Sequence, residues 1–259
     1  MTVPSPHRGR LLLVPNLLDF GSPQPLELSA GLPAAVIQRA AALTHWVVED
    51  AKTARAFIKR VATLAPLTTP LQSLSIQELP RHTKGPNVAS SADGELAVLL
   101  HPAHAGHDIG LLSEAGLPSV ADPGSALVAQ AHAQGITVEP LPGASALMLA
   151  LAASGLNGQQ FAFVGYLPIK DDARAARIRE LDAWSRRHAQ TQIAIETPYR
   201  NAALMRALLQ HLSPTSHLCV ACALGWPEGW CRMQRVSQWR SAPTELVDKL
   251  PAVFLFQAD

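Results

Sequence analysis

Cysteine is scarce in this chain. Cys219, Cys222 and Cys231 are the only three in 259 residues, and they cluster in one stretch, which excludes a disulfide framework. An excess of charge of either sign is also missing. With 21 Lys and Arg against 20 Asp and Glu, the formal net charge is +1, so no global field draws the chain to a polyanion and nucleic acid has to be met by a local patch. No apolar run is long enough to cross a bilayer, including the run from Ala144 to Ala153. The first ten residues carry His7, Arg8 and Arg10 with no signal-type core and cleavage site behind them, and the expectation is a cytoplasmic protein. Neither G-x-G-x-x-G nor G-x-x-x-x-G-K-[ST] occurs, so the glycine loops that cradle the phosphates of dinucleotides and nucleoside triphosphates are absent.

No metal is expected. The CVAC spacing with His217 has zinc-like composition, but HLCVACAL has the pattern of a buried strand, which sends Cys219 and Cys222 to opposite faces. His101, His104 and His107 in HPAHAGH sit beside Pro102 and Gly106, on a loop without a fixed face.

What the chain does have is a folded composition, 48% apolar and 16% charged. Apolar strand patterns at 11–15, 46–50, 74–78, 107–112 and 136–141 alternate with helical patterns at 33–43, 51–64, 90–101 and 125–134. That alternation predicts parallel βαβ units. SGLNGQQ at 154–160 breaks the chain, and a boundary is expected there, giving an N-terminal domain 1–153 that includes a connecting helix and a C-terminal domain 154–259. The second half reads as strands at 161–168, 217–224, 231–239 and 252–257 and a strand and turn at 191–200, with helices at 171–188, 201–212 and 243–249. The fold class is therefore α/β, with a mostly parallel N-terminal sheet and a mixed C-terminal one.

Two Gly/Pro-rich loops end successive strands, SEAGLPSVADPG at 113–124 and LPGASAL at 141–147. At the carboxyl edge of an α/β sheet such loops expose backbone groups that no ladder uses, and ligands bind there. An ordinary pair of βα turns accounts for them equally well.

The order and spacing of these loops, followed by FVGYLP and ETPYR, resemble the S-D-A-G-T-P-x-I-x-D-P-G, L-P-G-P-S-A, G-F-L-P and Y-E-S-x-H-R series of the tetrapyrrole methylase superfamily. LLLVP and VVEDAKTAR resemble that family's first strand and its A-E-D-T-R helix start, so the likeness covers nearly the whole chain. Within the family it is closest to the branch that methylates ribose 2'-hydroxyls of small-subunit ribosomal RNA. The resemblance implies a two-domain methyltransferase, usually a homodimer, that holds S-adenosylmethionine in a cleft between its halves. It implies cofactor contacts at Pro15, at Ser113, Glu114, Ala115, Gly116 and Leu117, at Pro142, Gly143 and Ser145, and at Ala223 and Leu224. The family pattern has Thr where this chain has Leu117, and the loop at 15–28 and the segment LGWPEGW also depart from it. A methyltransferase of a small, tetrapyrrole-like acceptor and a cofactor-binding homologue without turnover are the alternatives.

A ribose hydroxyl needs a partner for its proton, and the motif positions offer Glu49, Asp122, Glu196 and Arg200 as catalytic candidates, with Asp50 nearby. Each has a structural alternative: Asp122 bonding its own turn, Glu196 paired with Arg200, and Glu49 and Asp50 capping the next helix. For RNA there are two candidate surfaces. Arg174, Arg177, Arg179, Arg186 and Arg187 share the 171–188 helix with acids, the pattern of a solvated face. Trp230, Arg232, Arg235, Trp239 and Arg240 offer stacking and charge, or a dimer interface.

Overall fold

The computed structural model describes residues 8–19, 21–80, 88–242 and 249–259, with side chains at 88–93 left out. The expected helix at 243–249 falls on residues outside those described, apart from Lys249. The chain divides into two compact units, Met1–Ala144 and Ser145–Asp259.

In the first unit β1 (Leu11–Val14), α1 (Ala34–Ala42), β2 (His45–Val48), α2 (Ala51–Ala62), β3 (Ser75–Glu78), α3 (Val88–Leu99), α4 (His101–His104), β4 (Ile109–Leu112), α5 (Ser125–Ala133) and β5 (Val138–Pro140) follow in order. The strands form one parallel sheet in the order β3-β2-β4-β1-β5. LLLV, WVV and IGLL are apolar at every position because both faces of this sheet are covered. Leu12, Val14, Trp46 and Val48 pack with Val36, Ile37, Phe57 and Val61 of α1 and α2. The alternate residues Leu11, Val47, Ile109 and Leu111 pack on the other face with Leu100, Ala103, Leu127 and Ala131. The chain leaves β1 in one direction across the sheet and β4 in the other, so the order reverses between these two neighbours. This is the topological switch point, where the loops after the two strands diverge and leave room for a ligand.

The second unit opens with α6 (Ala146–Ser154) and continues through β6 (Phe161–Tyr166), α7 (Asp171–His188), β7 (Thr191–Ile195), α8 (Asn201–His211), β8 (His217–Cys222), β9 (Trp230–Arg235), α9 (Val236–Ser241) and β10 (Ala252–Gln257). Its sheet order is β6-β7-β10-β8-β9, with β6 and β7 parallel and the remaining pairs antiparallel. One face carries α7, α8 and α9 on Leu218, Val220, Phe254 and Phe256. The other carries α6, whose Leu147, Ala150 and Leu151 pack on Ile193, Cys219, Ala221, Val253 and Leu255. α7 matches its own dipole, with Asp171 and Asp172 in the first turn and Arg186, Arg187 and His188 in the last.

Three readings change. α6, expected to close the first domain, contributes its side chains to the second unit's core, so the division falls before it. The expected strand at 231–239 stops at Arg235 and continues as α9, because Val236 and Trp239 reach back into the helical face of the core three residues apart. Within HPAHAGH, residues 101–104 form a helical turn, with Pro102 in its first turn. His104 bonds Gln134 at 2.6 Å, while His107 stacks on His45 with ring centroids 4.9 Å apart. Cys219 and Cys222 do face opposite cores, as the strand period requires.

If α6 belongs to the second unit's core, a fragment 145–259 unfolds cooperatively in urea and a fragment 154–259 does not. The shorter piece loses the burial of Leu147 and Leu151, roughly 3–6 kcal/mol together.

Candidate functional site

At the carboxyl edge of the first sheet, three loops meet around the switch point. Pro15 and Asn16 follow β1, Ser113 to Gly124 follow β4, and Leu141 to Ala144 follow β5. Leu141 extends the ladder by donating its N-H to Leu13 at 3.0 Å, which brings Pro142 and Gly143 over the end of β1. A Cβ built at Gly143 would lie 2.2 Å from the Pro15 Cβ, so only glycine allows the two loops to touch. Gly116 has φ +67°, which L side chains avoid, and lies beside Leu18 and the Ala144 carbonyl.

The residue that joins these loops is Asn16, which the sequence reading passed over. Its backbone N-H donates to the Gly116 carbonyl at 2.8 Å. Its buried side-chain amide donates to the carbonyls of Ser113 at 3.3 Å and Glu114 at 3.0 Å, and its Oδ1 accepts from Leu17 N-H at 2.9 Å. An asparagine directly after a strand-ending proline was the available signal. Behind it, Asp19 accepts from Leu26 N-H at 2.9 Å and from Arg60 of α2 at 2.8 Å, which folds the divergent 15–28 loop onto the helix.

The β4 loop is strained. Ser119 and Ala121 hold φ of 68° and 64°, a region that costs non-glycine residues roughly 1–3 kcal/mol each. The Ser119 hydroxyl is buried without a protein partner. Buried polar groups are normally bonded, and strain of this kind concentrates at ligand loops.

Carboxylates gather at the ends of β2 and β4. Asp50 caps α2 by accepting from Thr53 N-H at 2.7 Å, and this bond holds its carboxyl below the ordinary range. The capping alternative therefore applies to Asp50. Glu49, just past β2, accepts from Glu114 N-H at 3.4 Å. Burial, followed by repulsion from Glu49 and Asp50, raises the Glu114 carboxyl. Asp122 is pushed up to about 6, first by burial and then by Glu49, against a hydrogen bond from the Ser113 hydroxyl. Glu49, Glu114, Asp122 and Ser113 are thus drawn together, 73 positions apart at the extremes of the sequence (122 less 49). Such a cluster is relieved by a cation or by hydroxyl donors. Ala115 and Leu117 lie half-buried on the same loop.

The second unit holds the remaining candidates. Ser145 is the N-cap of α6 and accepts Leu149 N-H through its carbonyl at 2.9 Å. Ala223 ends β8 with φ 49°, its N-H donated to Pro251 at 2.8 Å and its carbonyl accepting from Trp226 at 2.9 Å, while Leu224 packs beside the α6 face. Glu196 is buried and accepts from Arg200 at 2.6 Å and from Thr197 N-H at 2.7 Å, the ion pair of the structural alternative. Of the expected RNA-stacking group, Trp239 is fully buried and donates to Leu218 at 2.8 Å. Arg232 lies over the rings of Trp230 and Trp239 at 5.6 and 5.8 Å. Arg235 bonds Thr215 and Asp259, and Arg240 bonds Leu209 and Leu212. Trp239 therefore cannot stack on RNA, because its ring is part of the core.

Residues 34–230 match the family described as tetrapyrrole (corrin/porphyrin) methylases. The chain belongs to this family. Its relatives include two proteins named ribosomal RNA small subunit methyltransferase I. The one from Pseudomonas aeruginosa is 44% identical over 95 residues, 37% of this chain and 32% of that protein. The one from Vibrio cholerae is 38% identical over 124 residues, 48% of this chain and 42% of that protein. The matched stretches therefore span less than half of these relatives' length, 32% and 42%. Among solved structures, uroporphyrin-III C-methyl transferase from Thermus thermophilus, complexed with S-adenyl homocysteine, superposes with a TM-score of 0.51 at 19% identity. That likeness covers 96% of this chain and 97% of that one and establishes a common methylase fold.

Two outcomes follow from this geometry. Asn16→Ala leaves the Ser113 and Glu114 carbonyls without their donor and is expected to cost about 1–3 kcal/mol in urea unfolding. For Asp122, the folded carboxyl at about 6 lies above its ordinary value of 3.8, so between these limits the native state holds a proton that the unfolded chain has released. Stability therefore falls as pH rises through that window. Thermal melts across it should show the fall in the wild type and a smaller one in Asp122→Asn.

Proposed function

We propose that this chain is an S-adenosylmethionine-dependent methyltransferase whose acceptor is a ribose 2'-hydroxyl of small-subunit ribosomal RNA. The observation that carries the reading is the meeting of three loops at the switch point of a methylase-family sheet, with Glu49, Glu114 and Asp122 crowded beside them. Support for the acceptor comes from the relatives' names, and support for the cofactor from the S-adenyl homocysteine complex of the Thermus protein.

The residues present suit such a cofactor. The Gly143–Pro15 contact and the positive φ of Gly116 pack the loops together at the strand ends, which gathers backbone groups there for a nucleoside to meet. Glu114 and Asp122, raised first by burial and then by neighbouring carboxylates, form with Glu49 a cluster complementary to a ligand that carries positive charge. Pro15, Ser113 to Leu117, Pro142 and Gly143 are the residues of this unit that would hold it. When bound, S-adenosylmethionine supplies an electrophilic methyl on a positively charged sulfur.

In this proposal the loops would hold the acceptor beside the cofactor, a positioning that supplies much of the rate. Asp122 would accept the proton of the acceptor hydroxyl. Its carboxyl at about 6 is ionised at neutral pH and still basic enough for the task. Glu49 keeps Asp122 basic through its charge, and Glu196 with Arg200 shapes the ETPYR turn. The protein works in the cytoplasm as a homodimer. Phe161 and Phe163 of β6 remain 39% and 40% exposed on the sheet face that carries α6, where Met148 and Leu149 are exposed as well. An apolar face of this kind fits a second copy. No described helix is long and apolar enough to cross a membrane, and no group of metal-ligating side chains occurs among the described residues.

Calorimetry with S-adenosylmethionine, together with transfer of labelled methyl to undermethylated small ribosomal subunits, tests the assignment. Binding and label on the ribosomal RNA are expected; binding without label transfers the assignment to a small acceptor, and no binding overturns it. The rate should rise with pH through about 6 and then level off, and Asp122→Asn should lower kcat about 100-fold or more, a larger loss than any weakening of cofactor binding.

A further inference from the structure

Outside the loops described above, the second unit carries an open polar groove of about 730 Å³ between α7 and α8. Ala175, Ala203 and Ala207 form its floor, so small side chains leave the space between the helices unfilled. Arg174 and Arg179 stand on one wall, and Arg206, Gln210 and His211 on the other. Arg174 is committed: it pairs with Asp171 and donates to the Ile169 carbonyl at 3.1 Å. Arg179 is held in place by donating to His211 Nδ1 at 3.4 Å and has no carboxylate partner among the described residues. Arg206 is exposed and has no partner at all among them. Asp172, the acid that no arginine neutralises, is seven residues before Arg179, about 10 Å along the helix. The groove therefore presents two uncommitted guanidiniums above an alanine floor, with its unpaired acid towards one end.

We propose that this groove binds the phosphate backbone of the RNA acceptor, Arg179 and Arg206 each neutralising a phosphate. The inference rests on the RNA reading above and adds a positioning surface to it. The chemistry favours a phosphodiester chain. The uncommitted cations are guanidiniums, which match phosphate oxygens with paired donors. The floor has no large apolar side chain to anchor a peptide. An open trough along two helices suits a polymer, and with a net charge of only +1 on the whole chain a local pair of cations has to supply the attraction. α7 also has a charge pair turned to solvent, Arg177 with Glu180, while Arg186 reaches to 3.7 Å from the buried Asp182.

The test is titration of the full chain with a fluorescein-labelled single-stranded RNA of small-subunit ribosomal sequence at several salt concentrations. Arg179→Ala/Arg206→Ala is expected to weaken binding at least about tenfold and to lower the salt slope by about 1.4, two contacts at roughly 0.7 each. Arg179→Lys/Arg206→Lys should recover the salt slope and only part of the affinity, and calorimetric affinity for S-adenosylmethionine should be the same in all three proteins. Wild-type Kd and salt slope in the alanine variant, or no RNA binding by the wild type at low salt, overturns the groove. Methyl transfer to small subunits separates the two proposals. If the wild type transfers methyl and the alanine variant does so with unchanged KM, the groove falls while the methyltransferase assignment stands. If the RNA titrations behave as expected and the wild type transfers none, the ribosomal RNA assignment falls while the groove stands.

Discussion

Asn16 closes the switch point of the first sheet. A parallel sheet whose strand order reverses between β1 and β4 leaves two loops diverging from adjacent strand ends, and something must satisfy their backbone groups. Asn16 does so with one backbone and two side-chain donations, to Gly116, Ser113 and Glu114. The β5 loop can then lie across β1, with Gly143 against Pro15 at a distance no Cβ allows. The positions of Ser113, Glu114 and Gly116 depend on that closure.

The same closure accounts for the electrostatics. Holding Ser113 and Glu114 at the end of β4 brings Glu114 beside Glu49, which β2 delivers, and leaves the half-buried Asp122 within the influence of both. Carboxylates forced together raise one another's proton affinity. The strained φ values at Ser119 and Ala121 and the buried Ser119 hydroxyl belong to the same loop. Strain and unsatisfied polarity persist only where the surrounding structure fixes them, and here the fixing element is the sheet edge itself.

The second unit distributes its chemistry differently. Its sheet buries Trp239 and Cys219 on opposite faces and occupies Arg232, Arg235 and Arg240 with internal contacts. In the aromatic and basic stretch that looks most like an RNA surface in the sequence, Trp239 is therefore a core residue and the arginines are tied to their own unit. The α7 arginines, which look like ordinary solvated charge, line a groove that α8 completes.

The sequence alone determined the α/β alternation, the fully buried parallel strands, the two Gly/Pro loops and their likeness to the methylase family. These are local features: strand and helix periods, turn residues and motif spacing are all read within a few consecutive positions. It also placed Asp50 as a cap and sent Cys219 and Cys222 apart, because both follow from neighbouring residues. Only the tertiary structure decided the rest. α6 is apolar nearly all round, so its sequence does not say which sheet it covers. RVSQW turns from strand to helix because Val236 and Trp239 are both drawn into one core. The bonds from Asn16 to Ser113 and Glu114, and the repulsion between Glu49 and Asp122, join residues brought together by strand order. Strand order is set by how whole helices cover a sheet, and no window of the sequence contains it.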